Sequence, residues 1–336
     1  MSTYEVTTDD YHTGGEPFRI VTGGGPVLEG ATVLERRAWA AEHADDVRRL
    51  LVNEPRGHAD MYGCYVVPPD DDGAQLGTVF FHKDGYSTAC GHGTIALATW
   101  AVETGRVAAD PDGDTEMVID VPSGRVRARV RSTAGVVRSV AFRNVPAWVS
   151  ARAVAVSTSA GTVTADVSYG GAFYASARAA DLGLSVTPQD LPRLTELGRE
   201  IKWALNESAA AQHPEDVRLS GVYGTIWWDD LTSGIGPLAQ RNVTVFADGE
   251  VDRSPCGSGT SARLALLSDD PRLADGGGLE HTSVVGSRFL GRVVERGQAY
   301  GRPAVVTEVE GCAHRTGRHT FVLEETDELG LGFQLR

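Results

Sequence analysis

Two stretches of the sequence repeat one pattern: STACGHGTIALATWAVETG at residues 87–105 and RSPCGSGTSARLALL at residues 253–267. Each contains Cys-Gly-x-Gly-Thr-x-Ala, and the two cysteines, Cys90 and Cys256, are separated by about half of the 336-residue chain. A chain of this length is long enough for two domains. The repeat therefore predicts two related domains, which we place at residues 1–150 and 151–336, with the last strand able to return to the first domain.

The residues around each cysteine predict a strand, a turn, the cysteine and a helix, in that order. LGTVFFHKDGYSTA at 76–89 and NVTVFADGEVDRSP at 242–255 are both β-rich, and both carry an Asp-Gly turn before the cysteine. TIALATWAVETG at 94–105 is apolar nearly all round, which is typical of a helix buried on every side. RVRARVR at 125–131 alternates as a half-buried strand does, and residues 188–207 read as an amphipathic helix. The pattern predicts an α+β fold with many strands around a few helices.

The composition argues against nucleic-acid-binding, membrane-spanning and zinc-stabilised proteins. A formal charge of −14 argues against a nucleic-acid partner, which would need clustered Lys and Arg. The chain starts without a basic stretch followed by an apolar one, and no apolar run approaches the ~18 residues of a membrane span. Four cysteines in so long a chain, with no C-x-x-C pair, predict free thiols and no structural zinc. We expect a cytoplasmic protein without a membrane partner.

A cysteine at the start of a helix has a specific chemistry. The first backbone N–H groups of a helix lack partners and its dipole is positive there, which lowers a thiol pKa and creates an anion site. Two such helix ends can hold one amino acid, so that one thiolate removes the Cα proton while the other thiol delivers a proton to the opposite face. This two-base inversion needs no metal and no cofactor. The amides predicted to hold the substrate carboxylate are those of Gly91, His92, Gly257 and Ser258.

Other interpretations of these residues stay open at this point. GHGTIA and GSGTSA fit a loose dinucleotide-binding pattern, with Asp120 as an acid after the first, but that pattern leaves the repeated cysteine unexplained. A single nucleophile formed by Cys90 and His92 is disfavoured, because residues two apart do not face each other on a helix. Both cysteines can also be buried core residues, and an amino-acid-binding protein without activity needs no paired thiols. Asp252 is either a partner for a substrate ammonium or a solvated loop acid.

Four segments of the sequence resemble the signature segments of the proline racemase family. They are YHTGGEPFRIVTGG at 11–24, EPRGHADMYG at 54–63, GYSTACGHGTIA at 85–96 and VDRSPCGSGTSA at 251–262. The resemblance implies the fold shared with diaminopimelate epimerase: two pseudo-symmetric domains, each a strand barrel around a central helix, with the active site in the cleft between them. It also implies that Cys90 and Cys256 are the acid/base pair, that the four amides above bind the substrate carboxylate, and that Asp252 meets the substrate nitrogen.

The family includes proline racemases, 4-hydroxyproline 2-epimerases and trans-3-hydroxy-L-proline dehydratases, and different parts of this sequence resemble different branches. YGGAFYA at 169–175, VYGTI at 222–226 and TEVEGCAHRTG at 307–317 look more like the dehydratase branch, which typically has threonine at the position of Cys256. A thiol supplies a proton that threonine, with its far higher pKa, does not. We therefore predict inversion of Cα in proline or 4-hydroxyproline, with dehydration of trans-3-hydroxy-L-proline by Cys90 as the alternative. The expected partner is this small molecule, and the oligomeric state, a homodimer included, is left open.

Overall fold

A computed structural model describes residues 3–233, 238–273 and 277–335 of the chain. It divides into two compact units, Met1–Val140 with Cys312–Arg336, and Ala141–Gly311. The first break comes before the boundary predicted near residue 150. The C-terminal segment groups with the N-terminal residues because its strand, Ala313–Glu324, pairs in antiparallel fashion along the first strand, Thr3–Thr13. Within the described residues, no helix has the length and apolarity that a membrane span requires.

The first unit consists of paired strands with three helices. Its strands are β1 (Thr3–Thr13), β2 (Glu16–Gly23), β3 (Tyr62–Val67), β4 (Leu76–His82), β5 (Gly85–Tyr86), β6 (Asp114–Val121), β7 (Gly124–Thr133), β8 (Val136–Arg143), which leads to the second unit, and β18 (Ala313–Glu324). Its helices are α1 (Val33–His43), α2 (Asp45–Val52) and α3 (Gly91–Glu103). The predicted strand at 125–131 lies within β7, and the predicted buried helix lies within α3.

The second unit forms a closed barrel. Its strands are β9 (Ala147–Thr158), β10 (Gly161–Tyr169), β11 (Phe173–Arg178), β12 (Val222–Asp230), β13 (Leu238–Phe246), β14 (Glu250–Asp252), β15 (Leu279–Ser283), β16 (Arg288–Ala299) and β17 (Arg302–Gly311). Its helices are α4 (Leu191–Leu205), the predicted amphipathic helix, and α5 (Gly257–Leu266). The order of pairing is β9-β10-β11-β12-β13-β15-β16-β17, and β17 pairs with β9 again to close the ring.

The two units repeat one pairing pattern. In the first, β1/β2 is antiparallel, β2/β3 parallel, β3/β4 antiparallel, β4/β6 parallel and β6/β7 antiparallel. In the second, β10/β11, β11/β12, β12/β13, β13/β15 and β15/β16 follow the same order of orientations. The short strands β5 and β14 each precede a central helix, α3 or α5. Each unit has two parallel pairings at matching places, with one or two α-helices in the connection between the paired strands. This confirms the internal repeat that the paired motifs predicted.

Each central helix is enclosed by the strands of its own unit. Gly91 to Ala101 of α3 and all ten residues of α5 are buried, and α5 contacts strands β9, β10, β11, β16 and β17. Small or apolar side chains fill most positions of both helices, which explains why neither sequence shows a polar stripe. The buried Arg263 of α5 is the charged exception among these positions, and it donates hydrogen bonds to Gln240 Oε1. The strands thus place the start of each helix, and the cysteine before it, at a fixed point of the unit.

Truncating the α3 core should destabilise the protein strongly. Leu97 is fully buried, so we expect Leu97→Ala to lower the free energy of unfolding by about 2–5 kcal/mol, through lost apolar contact and a residual cavity. Urea unfolding followed by circular dichroism measures this change. Leu329→Ala is the matched control, because Leu329 is 60% exposed and its truncation should change the free energy by under about 0.5 kcal/mol. Equal effects in the two variants would contradict the assignment of α3 to the core.

Candidate active site

Cys90 lies directly before α3 as its N-terminal cap. Its backbone is extended, with φ −152° and ψ 102°, and its Sγ accepts a hydrogen bond from the N–H of Gly93 at 3.2 Å. The sulfur therefore occupies the position that a serine or aspartate oxygen usually takes at a helix start. This N–H belongs to the first turn of α3, at the positive end of the helix dipole, and it gives the sulfur a hydrogen-bond donor. The residue is 6% exposed, so this donor acts where water is largely excluded.

His92 lies beside Cys90, so the sequence argument that the two would not face each other is wrong. The distance from Cys90 Sγ is 3.5 Å to His92 Nδ1 and 3.6 Å to His92 Nε2. The spacing rule applies when both residues are helical, whereas Cys90 is the extended residue before the helix, and its side chain folds back over the first turn. Burial lowers the pKa of His92 to about 3, so the imidazole is neutral.

Three further residues hold His92, and pattern alone did not assign them a role. The ring of Tyr62 meets the imidazole edge-on with 4.9 Å between ring centres, and Phe18 does so at 5.6 Å. Thr13 Oγ1 donates a hydrogen bond to the carbonyl of His92 at 2.9 Å. All three come from the segments at 11–24 and 54–63 that carried the family resemblance. Their place beside the thiol–imidazole pair explains why these segments belong to the site.

Gly93 leaves the space that the Cys90 thiol occupies. A Cβ at this position would lie 2.7 Å from Cys90 Sγ and 2.4 Å from the Phe18 ring. We expect Gly93→Ala to displace the sulfur and lower kcat/KM by at least about tenfold, since a misplacement of one ångström at a reacting group can cost about a hundredfold. Gly297→Ala is the control, because nothing lies within 4 Å of a Cβ there. Steady-state kinetics on folded variants test this, and an unaffected Gly93→Ala variant would contradict the tight packing.

Cys256 precedes α5 in the same place but with a different backbone. Its φ is 61°, a left-handed value that is uncommon for a residue with a side chain. The Cys256 N–H donates to Ser254 Oγ at 3.1 Å, and the preceding carbonyl of Pro255 accepts from Asn242 Nδ2 at 2.8 Å. These bonds hold the strained conformation. The two cysteines therefore cap equivalent helices without being conformationally equivalent.

Asp252 lies beside the Cys256 thiol and is not a solvated loop acid. It is 4% exposed, and its Oδ1 accepts a hydrogen bond from the N–H of Ser254 at 2.8 Å. Burial raises the pKa of Asp252 to about 6, and the hydrogen bonds from the hydroxyl and the backbone N–H of Ser254 oppose this rise. Burial first, and the Asp252 charge second, raise the pKa of Cys256 to about 12. The second thiol is thus held in its protonated form, next to a carboxylate.

The predicted site residues fall into two sets, one in each unit. Gly91 and His92 are the first two residues of α3, and Gly257 and Ser258 are the first two of α5. The N–H groups of such residues have no partner within the helix, so each helix start offers two donors to a carboxylate. The structure brings the first pair together with Cys90, and the second pair together with Cys256 and Asp252.

The structure does not support a dinucleotide-binding site after Cys90. Asp120, its required ribose acid, is 3% exposed and forms an ion pair with Arg125 at 2.7 Å. It also accepts a hydrogen bond from the backbone of Asp70 at 2.9 Å, so both of its oxygens are engaged. Across residues 3–233, 238–273 and 277–335, no group of three or more His, Cys, Asp or Glu side chains is arranged to hold a metal ion.

The chain is similar in sequence and in fold to proteins of known family. A family model described as proline racemase matches residues 9–334. The chain is 46% identical over 333 residues to a 3-hydroxyproline 2-epimerase of Burkholderia multivorans, covering 98% of each chain. It is 45% identical over 332 residues to a trans-3-hydroxy-L-proline dehydratase of Burkholderia cenocepacia, again covering 98% of each. A solved hydroxyproline epimerase from Agrobacterium vitis, with bound trans-4-hydroxy-L-proline, superposes with a TM-score of 0.92 at 30% identity, covering 99% of this chain and 96% of that one.

Proposed function

Because the chain belongs to the proline racemase family, we propose that it inverts Cα of a proline-type substrate with Cys90 and Cys256 as the two proton-transfer groups. The observation that carries the proposal is the repeat itself: in each unit a cysteine lies at the N-terminal cap of the central helix, α3 or α5. The family and its named epimerases make the chain an isomerase. The residue roles that follow are our proposal.

The proposed step moves one proton off Cα and another onto it. A thiolate at one cysteine takes the Cα proton, the electron pair stays on the substrate, and the thiol of the other cysteine protonates the opposite face. The N–H groups at the helix starts hold the substrate carboxylate and stabilise the negative charge that develops beside it. After one turnover the two cysteines have exchanged protonation states, so the enzyme is ready for the reverse reaction.

His92 beside Cys90 and Asp252 beside Cys256 have different chemistry, so we propose different roles for them. Neutral His92 can accept the thiol proton of Cys90 or donate to its thiolate, as its position 3.5 Å away allows. Asp252 gives the second half of the site a buried negative charge, which suits a positively charged substrate nitrogen. We therefore propose that Asp252 binds the substrate nitrogen and that His92 supports Cys90.

Dehydration of trans-3-hydroxy-L-proline is the second candidate function. Relatives with that name are 42–45% identical to this chain, so identity alone does not separate them from the epimerase at 46%. Cys256 separates the two reactions by chemistry. Elimination of a 3-hydroxyl needs a base at Cα and a route for the leaving oxygen, whereas inversion needs a second group that protonates the opposite face, which a thiol does more readily than a hydroxyl. The thiol at position 256 favours inversion.

A substrate panel tests the proposal. Purified protein is incubated separately with L-proline, trans-4-hydroxy-L-proline, and trans-3-hydroxy-L-proline, the last included because of its 3-hydroxyproline-specific relatives. Chiral chromatography then follows inversion, and a colorimetric assay follows the cyclic imine that dehydration yields. We expect inversion of at least one substrate without added metal or nucleotide. Imine formation from the 3-hydroxy substrate with no inversion of any of the three would favour the dehydratase.

The proposed chemistry also bears on where the protein works. Cys90 and Cys256 are free thiols in the structure, and the mechanism requires both to stay reduced. A reducing compartment keeps such thiols available. We therefore keep a cytoplasmic location as part of the proposal.

A further inference from the structure

The segment YGGAFYA at 169–175 has no role in the two-thiol mechanism as described so far, although it lies against the second half of the site. Gly170 packs on the first turn of α5, where a Cβ would lie 2.5 Å from the carbonyl of Ser258. Asn144 Nδ2 fixes the contact by donating to Gly170 O at 2.8 Å and to Ser261 Oγ at 3.0 Å. The start of β11 is thereby anchored to the helix that Cys256 caps.

This anchoring brings the hydroxyl of Tyr174 to the reacting sulfur. Cys256 Sγ donates to Tyr174 Oη at 3.7 Å, and Tyr174 Oη lies 2.7 Å from Ser258 Oγ. All three residues are at most 5% exposed. The Tyr174 ring is held in turn by Tyr223, with 5.6 Å between ring centres. Ser258, Tyr174 and Cys256 thus form a buried chain of three groups that can each donate and accept a hydrogen bond.

We propose that Tyr174 is a positioning residue for Cys256, and that its hydroxyl satisfies the sulfur in both protonation states that the proposed inversion uses. With a thiol, Cys256 S–H donates to Tyr174, which donates to Ser258. With a thiolate, the hydrogens turn: Ser258 donates to Tyr174, and Tyr174 donates to the sulfur. Because hydroxyl hydrogens rotate freely, no heavy atom has to move between the two states.

The contact matters most for the thiolate. Burial and the Asp252 charge oppose ionisation of Cys256 by raising its pKa. The hydrogen bond from Tyr174 is the largest contact that favours ionisation, ahead of those from the Gly259 N–H and the Thr244 hydroxyl. A donor is worth more to a charged acceptor than to a neutral one. Removing the hydroxyl should therefore make the Cys256 thiolate harder to form and leave Cys90, in the other unit, unaffected. The inference rests on the proposed function only for its kinetic consequence.

Tyr174→Phe tests the inference in the full-length protein. The probe is iodoacetamide at a series of pH values, with peptide mass spectrometry reporting alkylation of Cys256 and Cys90 separately. We expect Cys256 to react roughly tenfold more slowly at pH 9 in the variant and the Cys90 rate to stay unchanged. Tyr169→Phe is the matched control, since that buried hydroxyl has no hydrogen-bond partner in the described part of the chain. Ser258→Ala, which removes only the end of the chain of hydroxyls, should give an intermediate loss.

Kinetics add a readout that a purely structural role would not produce. In the variant, kcat for inversion should fall by roughly tenfold with KM changed by less than about twofold. An unchanged Cys256 alkylation profile, an equal slowing at Cys90, or wild-type Cys256 that never reacts up to pH 10 would each overturn the inference. If no substrate is inverted but the alkylation shift occurs at Cys256 alone, the inference stands and the proposed function fails.

Discussion

Replacing Cys256 by serine will lower kcat/KM for Cα inversion by about 10²–10⁴-fold, the range that a positioned acid or base contributes. The serine hydroxyl has a pKa far above that of a thiol, so it neither protonates Cα nor removes the Cα proton at a comparable rate. Serine is the better test than threonine, because position 256 has φ 61° and a β-branched residue would be strained there. Chiral chromatography of the reaction measures the loss.

The same experiment separates inversion from dehydration. Cys90→Ser should remove both reactions from the L-substrate if Cys90 is its base, whereas Cys256→Ser should leave any loss of water from trans-3-hydroxy-L-proline partly intact. Cys312→Ser is the control, since Cys312 is an exposed thiol and its replacement should leave both rates unchanged. Wild-type inversion rates in Cys256→Ser would mean that this thiol is only a core residue.

Asp252→Asn should lower kcat/KM by roughly a hundredfold, because removing one member of a buried charge pair leaves the other without its counter-charge. In the proposal that other member is the substrate nitrogen, so KM should rise as well as kcat fall. Asp248→Asn is the matched control in the same hairpin, with its carboxylate 43% exposed and paired with Arg199. We expect less than about a twofold change there. Equal changes in kcat/KM for Asp252→Asn and Asp248→Asn would contradict the placement of Asp252 at the substrate.

Protonation of Asp252 should set the fall of kcat/KM at low pH. Its pKa is raised to about 6, so the carboxylate is neutralised as the pH falls through this value and its charge is lost to the substrate. We expect kcat/KM to fall about tenfold per pH unit below that point in the wild type, and this limb to vanish in Asp252→Asn. The Cys256 thiol, with its pKa raised to about 12, stays protonated across the neutral range. A flat wild-type profile from about pH 8 to about pH 5, with chemistry limiting, would contradict this role.

The sequence predicted the features that depend on local pattern. An apolar helix without a polar stripe has to be enclosed, and Gly91 to Ala101 are indeed buried. A β-rich run, an Asp-Gly turn and Cys-Gly-x-Gly-Thr were enough to place Cys90 and Cys256 at helix starts. The contact between Cys90 and His92 was not predicted, because the spacing rule applies only inside a helix and Cys90 lies just outside it.

Contacts between distant parts of the chain left no local signal. Tyr174 lies 82 positions before Cys256 and reaches it only because β11 pairs between β10 and β12 in the barrel around α5. The grouping of Cys312–Arg336 with the N-terminal unit likewise depends on a strand pairing across the whole chain, between β18 and β1. Asp252 was assignable only through the family resemblance, since its burial depends on the backbone of the loop before α5.

Solvent deuterium is the most direct test of the central claim that two different groups handle the two protons at Cα. Wild-type enzyme is run in D2O on the substrate that it inverts, and the early reaction is analysed by mass spectrometry and proton NMR. The two-thiol mechanism predicts that the product carries deuterium at Cα while the remaining substrate keeps its proton, because the arriving proton comes from a different, exchangeable thiol. A product that retains the original proton, or substrate that gains deuterium as fast as product forms, would mean that one group handles both faces and would contradict the two-thiol mechanism.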